Sequence, residues 1–329
     1  MAEETPQISY INKITNNVKQ VGGVVTNAID KLKNLPKANI EAGIYHLRQG
    51  NFYDASVRFR IAAWMDKNNY IAHYLVGKAM VYNGKRSKAI KPLKTALSLN
   101  PNFEEAKFLL AVCGAGQLTE LPRSFIIERN DILALNYDAI FKPNEETNYR
   151  TKLKQEFASY FEEWQGFEVL DLGCMGGETG EIIRIKANHL VGVEPSIKIS
   201  AFARARRLGD SLVYNKVSAK FPEDYLAENE ENYQVILSAF YVSNFADPAN
   251  FFKLVRKRIS KQGGAFIFTI VPYVGGNSKF SDEQILFTHS ELFIEKRLKE
   301  AGFKVFKKSE IKYESGNINI LYIAETEAA

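Results

Sequence analysis

A glycine-rich turn between two apolar runs is the feature that most constrains this chain. The first run ends at Leu172 and leads into Gly-Cys-Met-Gly-Gly at 173–177. The second run ends in Glu194, twenty-three positions after Asp171. This order predicts a strand, a turn, a helix and a second parallel strand that ends in an acid. Parallel sheets bind nucleosides at such places, because glycines let the backbone approach the ligand and the acid accepts hydrogen bonds from ribose hydroxyls.

Length and composition predict a soluble protein of more than one domain. The chain has 329 residues, of which 46% are hydrophobic and 25% charged. It contains no apolar run long enough to span a bilayer, and its acidic N-terminus does not resemble a signal peptide. Cys113 and Cys174 are the only cysteines, which disfavours a disulfide framework and a cysteine-rich metal site. We therefore expect a cytoplasmic protein, either free or peripheral to a membrane.

Residues 1–36 predict an amphipathic N-terminal helix. Apolar residues recur there in steps of three and four, which is the spacing of a heptad seam: Ile11, Ile14, Val18, Val21, Val25, Ala28, Leu32 and Leu35. Packing on the protein body or self-association through this seam is favoured over contact with a membrane surface.

Residues 37–118 predict a domain of helical repeats with a period of 34. At this offset Gly43 matches Gly77, and Phe59 matches Leu93. A small residue on one helix would receive a bulky residue from the next, as in the tetratricopeptide repeat that this segment resembles. Residues 41–100 carry ten Lys or Arg against three acids, which indicates either an acidic partner or anionic surface at this segment or simply a solvated helix face. Nucleic acid is disfavoured, because the aromatics fall on interlocking helix positions that suit a core.

After a connector at 119–165, strands and helices alternate through residues 166–329. Strands are predicted at 168–172, 190–194, 211–215, 233–238, 265–271, 304–313 and 318–324, and helices at 178–187, 196–208, 219–228, 248–260 and 290–301. Alternation predicts an α/β fold with a parallel, doubly wound, Rossmann-like sheet. The last two strands are joined by a turn too short for a helix, so they should form an antiparallel hairpin.

This domain resembles the class I S-adenosylmethionine-dependent methyltransferases, which share the alternation and the closing hairpin. Their first motif is Asp-x-Gly-x-Gly-x-Gly, and here Met175 stands at the middle glycine. With its repeats, the chain resembles a bacterial subgroup of predicted methyltransferases. The resemblance implies S-adenosylmethionine as cofactor, held by Asp171, Gly173, Cys174, Gly176, Gly177, Glu194, Ser218 and Ser238. No acid stands where the family often holds the adenine amino group, so Ser218 or a backbone group is the expected substitute, and an ordinary strand-to-helix turn is the alternative.

Two residues are candidates for a catalytic role. Tyr241 follows the predicted fourth strand, where the family places cofactor and acceptor, although a packing aromatic is the commoner reading of a tyrosine there. His289 has a pKa suited to a general base, and a helix cap is its alternative role. The Asn/Asp-Pro-Pro-Tyr/Phe motif of DNA amino-methyltransferases is absent from the sequence. A dinucleotide-dependent dehydrogenase is disfavoured, because the closing hairpin is foreign to that fold.

We expect methyl transfer to a protein or a small molecule, with the repeats recruiting the substrate or a partner. The alternative is a non-catalytic scaffold that works through its repeats and keeps a degenerate cofactor site. Met175 and the missing adenine acid favour this alternative, whereas Asp171, Gly173, Gly177 and Glu194 oppose it.

Overall fold

The computed structural model describes residues 34–137, 148–313 and 316–326. The chain divides into two compact units between Gln117 and Leu118. Nearly all of the predicted N-terminal helix over 1–36 lies outside the described residues.

The first unit consists of helices joined by short turns. They are α1 over 34–48, α2 (Phe52–Met65), α3 (Tyr70–Tyr82), α4 (Arg86–Leu99) and α5 (Glu104–Val112). Gly50 and Gly84 turn the chain after α1 and α3 with φ of 75° and 69°, again 34 positions apart.

The packing of these helices repeats as the sequence period predicts. A Cβ added to Gly43 would lie less than 3.0 Å from the Phe59 ring, and one added to Gly77 equally close to Leu93. Phe59 and Leu93 are both fully buried. The same fit of a glycine against a bulky side chain therefore holds α1 to α2 and α3 to α4.

The second unit contains a mostly parallel sheet and its helices. Its elements are α6 (Arg123–Leu135), α7 (Asn148–Tyr160), β1 (Phe167–Leu172), α8 (Glu178–Ile183), β2 (Ala187–Val193), α9 (Ile197–Ala205), β3 (Arg207–Leu208), β4 (Ser211–Leu212), β5 (Lys216–Ser218), α10 (Pro222–Glu228), β6 (Val235–Ser238), a 3-10 turn (Tyr241–Asn244), α11 (Ala249–Arg258), β7 (Gly264–Ile270), β8 (Ser278–Ser281), β9 (Leu286–His289), α12 (Glu291–Glu300), β10 (Lys304–Lys312) and β11 (Ile318–Thr326).

Seven strands form one sheet in the order β10-β11-β7-β6-β1-β2-β5. The strands from β7 to β5 are parallel neighbours, and β11 pairs antiparallel with both β7 and β10. The predicted parallel sheet and its antiparallel closing hairpin are therefore confirmed. Leu172 pairs with Val193, so the residues that follow β1 and β2 lie together at the carboxyl edge of the sheet.

Helices cover both faces of this sheet. Leu170 and Leu172 of β1 pack with α10, α11 and α12, whereas Phe167 and Val169 pack with α7, α8 and α9. Burial on both faces explains why β6 and β7 are buried throughout and apolar apart from Ser238 and Thr269. The edge strand β10 differs, because exposed and half-buried residues alternate along most of its length.

The predicted third strand at 211–215 is wrong in position. Only its first two residues are extended, as β4, which pairs with β3 in a separate two-stranded sheet, and the strand beside β2 is β5. The Tyr214 hydroxyl turns inward and donates to Asp171, and the Asn215 side chain accepts from the amide of Leu190. The amide of Asn215 also donates to the Leu190 carbonyl at 2.9 Å, and the strand paired with β2 begins one residue later, at Lys216.

Further elements differ from the prediction. The helix predicted at 196–208 ends at Ala205, because Arg207–Leu208 pair as β3 with β4. Helix α8 ends at Ile183 rather than at 187, because β2 begins at Ala187. The β8–β9 hairpin was not predicted, and it places His289 at the end of a strand rather than in a helix cap. Ser290 caps α12 instead, accepting from the amide of Phe293.

Every helix within the described ranges is too short or too polar to cross a lipid bilayer.

Substitution of Gly77 by Ala should destabilise the first unit. The new Cβ would meet the Cγ of Leu93 at 2.5 Å, and we expect a loss of about 1–3 kcal/mol, larger than the roughly 1 kcal/mol that alanine gains in helix propensity. Calorimetric unfolding of the full chain measures this effect. Gly77→Ala combined with Leu93→Val should recover part of the loss. An unchanged or raised melting temperature for Gly77→Ala alone would contradict the packing.

Candidate cofactor site

The glycine turn between β1 and α8 is fixed by backbone hydrogen bonds to β2. The amides of Gly173 and Cys174 both donate to the Val193 carbonyl, at 2.8 and 3.1 Å. Gly177, with φ of 92°, ends the turn and lies against Tyr214, where a Cβ would meet the ring at 2.7 Å. Met175 also has a left-handed backbone, with φ of 47°. Met175 thus adopts the backbone conformation that favours the glycine of the motif, which costs a residue with a side chain about 1–2 kcal/mol.

Glu194 lies directly after β2 and is almost completely buried. Its Oε1 accepts from Asn130 Nδ2 at 3.0 Å and from the amide of Ser196 at 2.9 Å. Burial raises the pKa of Glu194, and these hydrogen bonds, one from the amide of Met175 and the charge of Arg129 oppose the rise. The carboxylate therefore stands beside the glycine turn, as the spacing predicted.

Asp171 is fully buried near the end of β1. Tyr214 donates to its Oδ2 at 2.7 Å, whereas its Oδ1 has no partner among the described residues. Burial, opposed by the Tyr214 hydrogen bond and assisted by the charge of Glu194, raises the pKa of Asp171 to about 7. Asp171 is thus a buried carboxylate with one donor and no cation, a state that a positively charged ligand would relieve.

Ser238 provides a second unpaired polar atom at this edge. It follows Leu237, which pairs with Asp171 in the sheet, and its hydroxyl is buried without a partner within the described ranges. Two unsatisfied polar side chains beside a glycine turn fit a polar, cationic ligand such as S-adenosylmethionine.

The other predicted cofactor residues lie at the same edge in different roles. Cys174 is a buried free thiol packed against Gly192, and burial raises its pKa. Gly176 lies under the side chain of Tyr137. The carbonyl of Ser218 accepts from the amide of Glu194 at 3.0 Å, so this residue holds Glu194 through its backbone.

Tyr241 is buried beside the turn. Its ring packs against Gly173 and Phe245, and its hydroxyl donates to Glu223 Oε2 at 2.8 Å. Burial and the charge of Glu223 hold the pKa of Tyr241 well above its usual value. The hydroxyl therefore remains protonated and acts as a donor to Glu223.

His289 is fully buried behind the 3-10 turn. Its Nε2 lies 2.8 Å from the carbonyl of Phe245, and because a carbonyl only accepts, Nε2 carries the proton. Burial lowers the pKa of His289. The ring is therefore neutral, and its Nδ1 has no partner in the part of the chain that the structure describes. Both catalytic candidates thus contact Phe245, on the segment that follows β6.

Sequence reasoning missed four residues that shape this site: Asn130, Tyr137, Tyr214 and Glu223. Asn130 and Tyr137 belong to the connector and show no local motif. Tyr214 was assigned to a strand, and only the tertiary fold reveals its contact with Asp171. The position of Glu223 just inside the first turn of α10 is the one signal in the sequence, since acids are frequent there.

Comparison with known proteins identifies the family. A family model described as a methyltransferase domain matches residues 133–308, more than half of the chain. The chain therefore belongs to this family of S-adenosylmethionine-dependent methyltransferase domains.

Curated relatives match only part of their own length. A ubiquinone biosynthesis O-methyltransferase of Rhizobium etli is 32% identical over 108 residues, which cover 32% of this chain and 42% of the relative. The enzyme of the same name from Hydrogenovibrio crunogenus is 25% identical over 120 residues, covering 36% and 48%. The chain thus spans less than half the length of these relatives.

Solved structures share the fold at low identity. The magnesium protoporphyrin IX methyltransferase of Synechocystis, with bound S-adenosylhomocysteine, gives a TM-score of 0.51 at 12% identity and covers 62% of this chain and 99% of that one. The cyclase SpnF gives 0.53 at 12% identity, covering 65% and 100%. One of these neighbours is named a methyltransferase and the other a cyclase, so proteins with this fold differ in activity. The structural similarity therefore shows the fold alone.

The raised pKa of Asp171 predicts a pH-dependent stability. Its pKa rises from 3.8 to about 7 on folding, so the folded state binds the proton more tightly, and stability is lost as the pH rises through 7. Asp171→Asn should remove this dependence. Without cofactor, the variant should gain about 2–3 kcal/mol relative to wild type between pH 5 and pH 8.

Melting temperatures of dialysed protein at both pH values test this expectation. Tyr214→Phe is the matched variant, because it removes the donor that lowers the pKa of Asp171, so the loss of stability should extend to higher pH. Equal destabilisation of Asp171→Asn at pH 5 and pH 8 would contradict the buried, protonatable carboxyl.

Proposed function

We propose that this protein transfers the methyl group of S-adenosylmethionine to an acceptor bound at the carboxyl edge of the sheet. One observation carries the proposal: Asp171, the 173–177 turn and Glu194 meet there on adjacent parallel strands. The geometry favours this function over a scaffold with a degenerate site, because Met175 keeps the left-handed backbone of the turn and both carboxylates are present.

Different residues at the carboxyl edge would bind different parts of the cofactor. S-adenosylmethionine, when bound, supplies an electrophilic methyl group on a cationic sulfur. Glu194 would accept hydrogen bonds from the ribose hydroxyls, and Asp171 and Ser238 would face the cationic amino-acid part. The turn would let its backbone approach the ligand. Alignment of the acceptor and exclusion of water then account for most of the catalysis.

For the acceptor we propose a hydroxyl group, because the curated relatives are named as O-methyltransferases. A hydroxyl is protonated near neutral pH and needs a base. His289 supports this role, since its neutral ring keeps a lone pair on Nδ1. Tyr241 would act as a positioning residue, because it contacts Gly173 and donates to Glu223.

For the helical unit we propose recruitment of an acidic protein or peptide by tetratricopeptide-like repeats. Residues 34–117 carry twelve Lys or Arg against five acids, and such a surplus attracts acidic partners. The repeated contact of Gly43 with Phe59 and of Gly77 with Leu93 supports the class of repeat.

Glu194→Gln should weaken binding of S-adenosylhomocysteine by roughly ten- to a thousandfold. The change replaces a charged acceptor of two hydroxyl hydrogen bonds by a neutral amide, and charge-assisted hydrogen bonds contribute about 1.5–3 kcal/mol each. Titration calorimetry measures the affinity, and circular dichroism checks the fold. Glu228→Gln, which alters an exposed carboxylate paired with Lys220, is the control and should bind as wild type does.

The transfer itself is tested with cofactor labelled in the methyl group. Purified protein is incubated with cell extract, and the label is followed into small molecules and into protein. Label in an alkali-stable small molecule supports the hydroxyl acceptor, and label in protein moves the proposal to a protein substrate. If the wild-type protein does not bind the cofactor at millimolar concentration, the proposed methyl transfer is wrong and the scaffold function replaces it.

A further inference from the structure

Helix α6 and Tyr137, which precede the sheet, cover both halves of the proposed cofactor site. We infer that residues 123–137 form a lid over this site, which must open to admit the cofactor. The inference rests on the proposed function, because it assigns the ligand to the same edge.

The first half of the lid lies on Glu194. Asn130 is buried, and its Nδ2 donates to Glu194 Oε1 at 3.0 Å. The amide of Ser196 donates to the same oxygen. Ribose hydroxyls would need acceptor positions on this carboxylate, so the Asn130 amide occupies part of the surface that the ligand requires.

The second half of the lid lies on the glycine turn. A Cβ on Gly176 would lie less than 3.0 Å from the Tyr137 ring, so the ring touches the backbone of the turn. Tyr137 also stacks on Phe202, with ring centroids 4.0 Å apart. Arg206 donates to the Tyr137 hydroxyl and, at 2.6 Å, to the Gly176 carbonyl. The approach of a ligand to this backbone is therefore closed by an aromatic ring.

A latch holds α6 to the start of α9. Asp131 Oδ1 accepts from the Ser196 hydroxyl at 2.6 Å, and its Oδ2 pairs with Lys198 Nζ at 3.0 Å. These hydrogen bonds hold the pKa of Asp131 below its usual value. The Lys198 side chain is largely exposed, so the latch is a surface ion pair of the weak kind that opens readily. A weak latch over buried contacts suits a lid that must open and close.

Loosening the latch should speed ligand entry. When only an open fraction of the protein admits ligand, the association rate scales with that fraction. Removing the ion pair should raise the association rate of S-adenosylhomocysteine by about two- to fivefold.

Asp131→Asn and Lys198→Met test the latch from its two sides. Stopped-flow binding of S-adenosylhomocysteine gives the rates, and hydrogen exchange of the free protein reports opening of α6. Both variants should bind faster, and the α6 amides should exchange faster while those of α11 do not change. Lys220→Met removes a comparable surface ion pair elsewhere in the second unit and should change neither measurement. Lys198→Met leaves α6 itself intact, so its result holds even where Asp131→Asn folds poorly.

The outcomes separate the lid from the proposed function. Faster exchange of α6 with unchanged association rates in both variants would overturn the lid and leave the cofactor site standing. A lower melting temperature without faster association would do the same, since it shows a structural role only. Failure of wild type to bind S-adenosylhomocysteine would overturn the proposed function and the lid with it.

Discussion

A buried carboxylate needs hydrogen-bond donors, and Glu194 accepts hydrogen bonds from separate parts of the second unit. Asn130 comes from α6, the Met175 amide from the glycine turn, and the Ser196 amide from the start of α9. The backbone of Glu194 is held in turn by the Ser218 carbonyl of β5. Because an unsatisfied buried charge is costly, this one acid fixes where four segments meet.

The charge of Glu194 helps to raise the pKa of Asp171, yet only Glu194 is well supplied with donors. Tyr214 gives Asp171 a single hydrogen bond. The edge thus holds one satisfied and one unsatisfied carboxylate. This asymmetry suits a ligand with a positively charged end, because that end would meet Asp171, the carboxylate that lacks donors.

The sequence predicted what depends on local order and missed what depends on distant contacts. Parallel strands, the turn at 173–177 and the acid at 194 follow from apolar runs and spacing, and the structure has them. Tyr214 was misplaced, because a tyrosine that bonds a distant aspartate and a tyrosine in a strand have the same local pattern. The role of Asn130 likewise depends on a partner 64 positions away. Met175 shows the reverse case, in which a residue departs from the motif while the backbone keeps its shape.

The two edge strands of the sheet differ in length, but neither offers a good template for pairing with a further strand. β10 carries four lysines, Lys304, Lys307, Lys308 and Lys312, and β5 at the opposite end has only three residues. Lysine side chains along an edge strand and a very short strand both discourage a further chain from pairing with the sheet. Aggregation through these open backbone groups is thereby suppressed, so two copies of the second unit would have to associate through helices or loops rather than by joining their sheets.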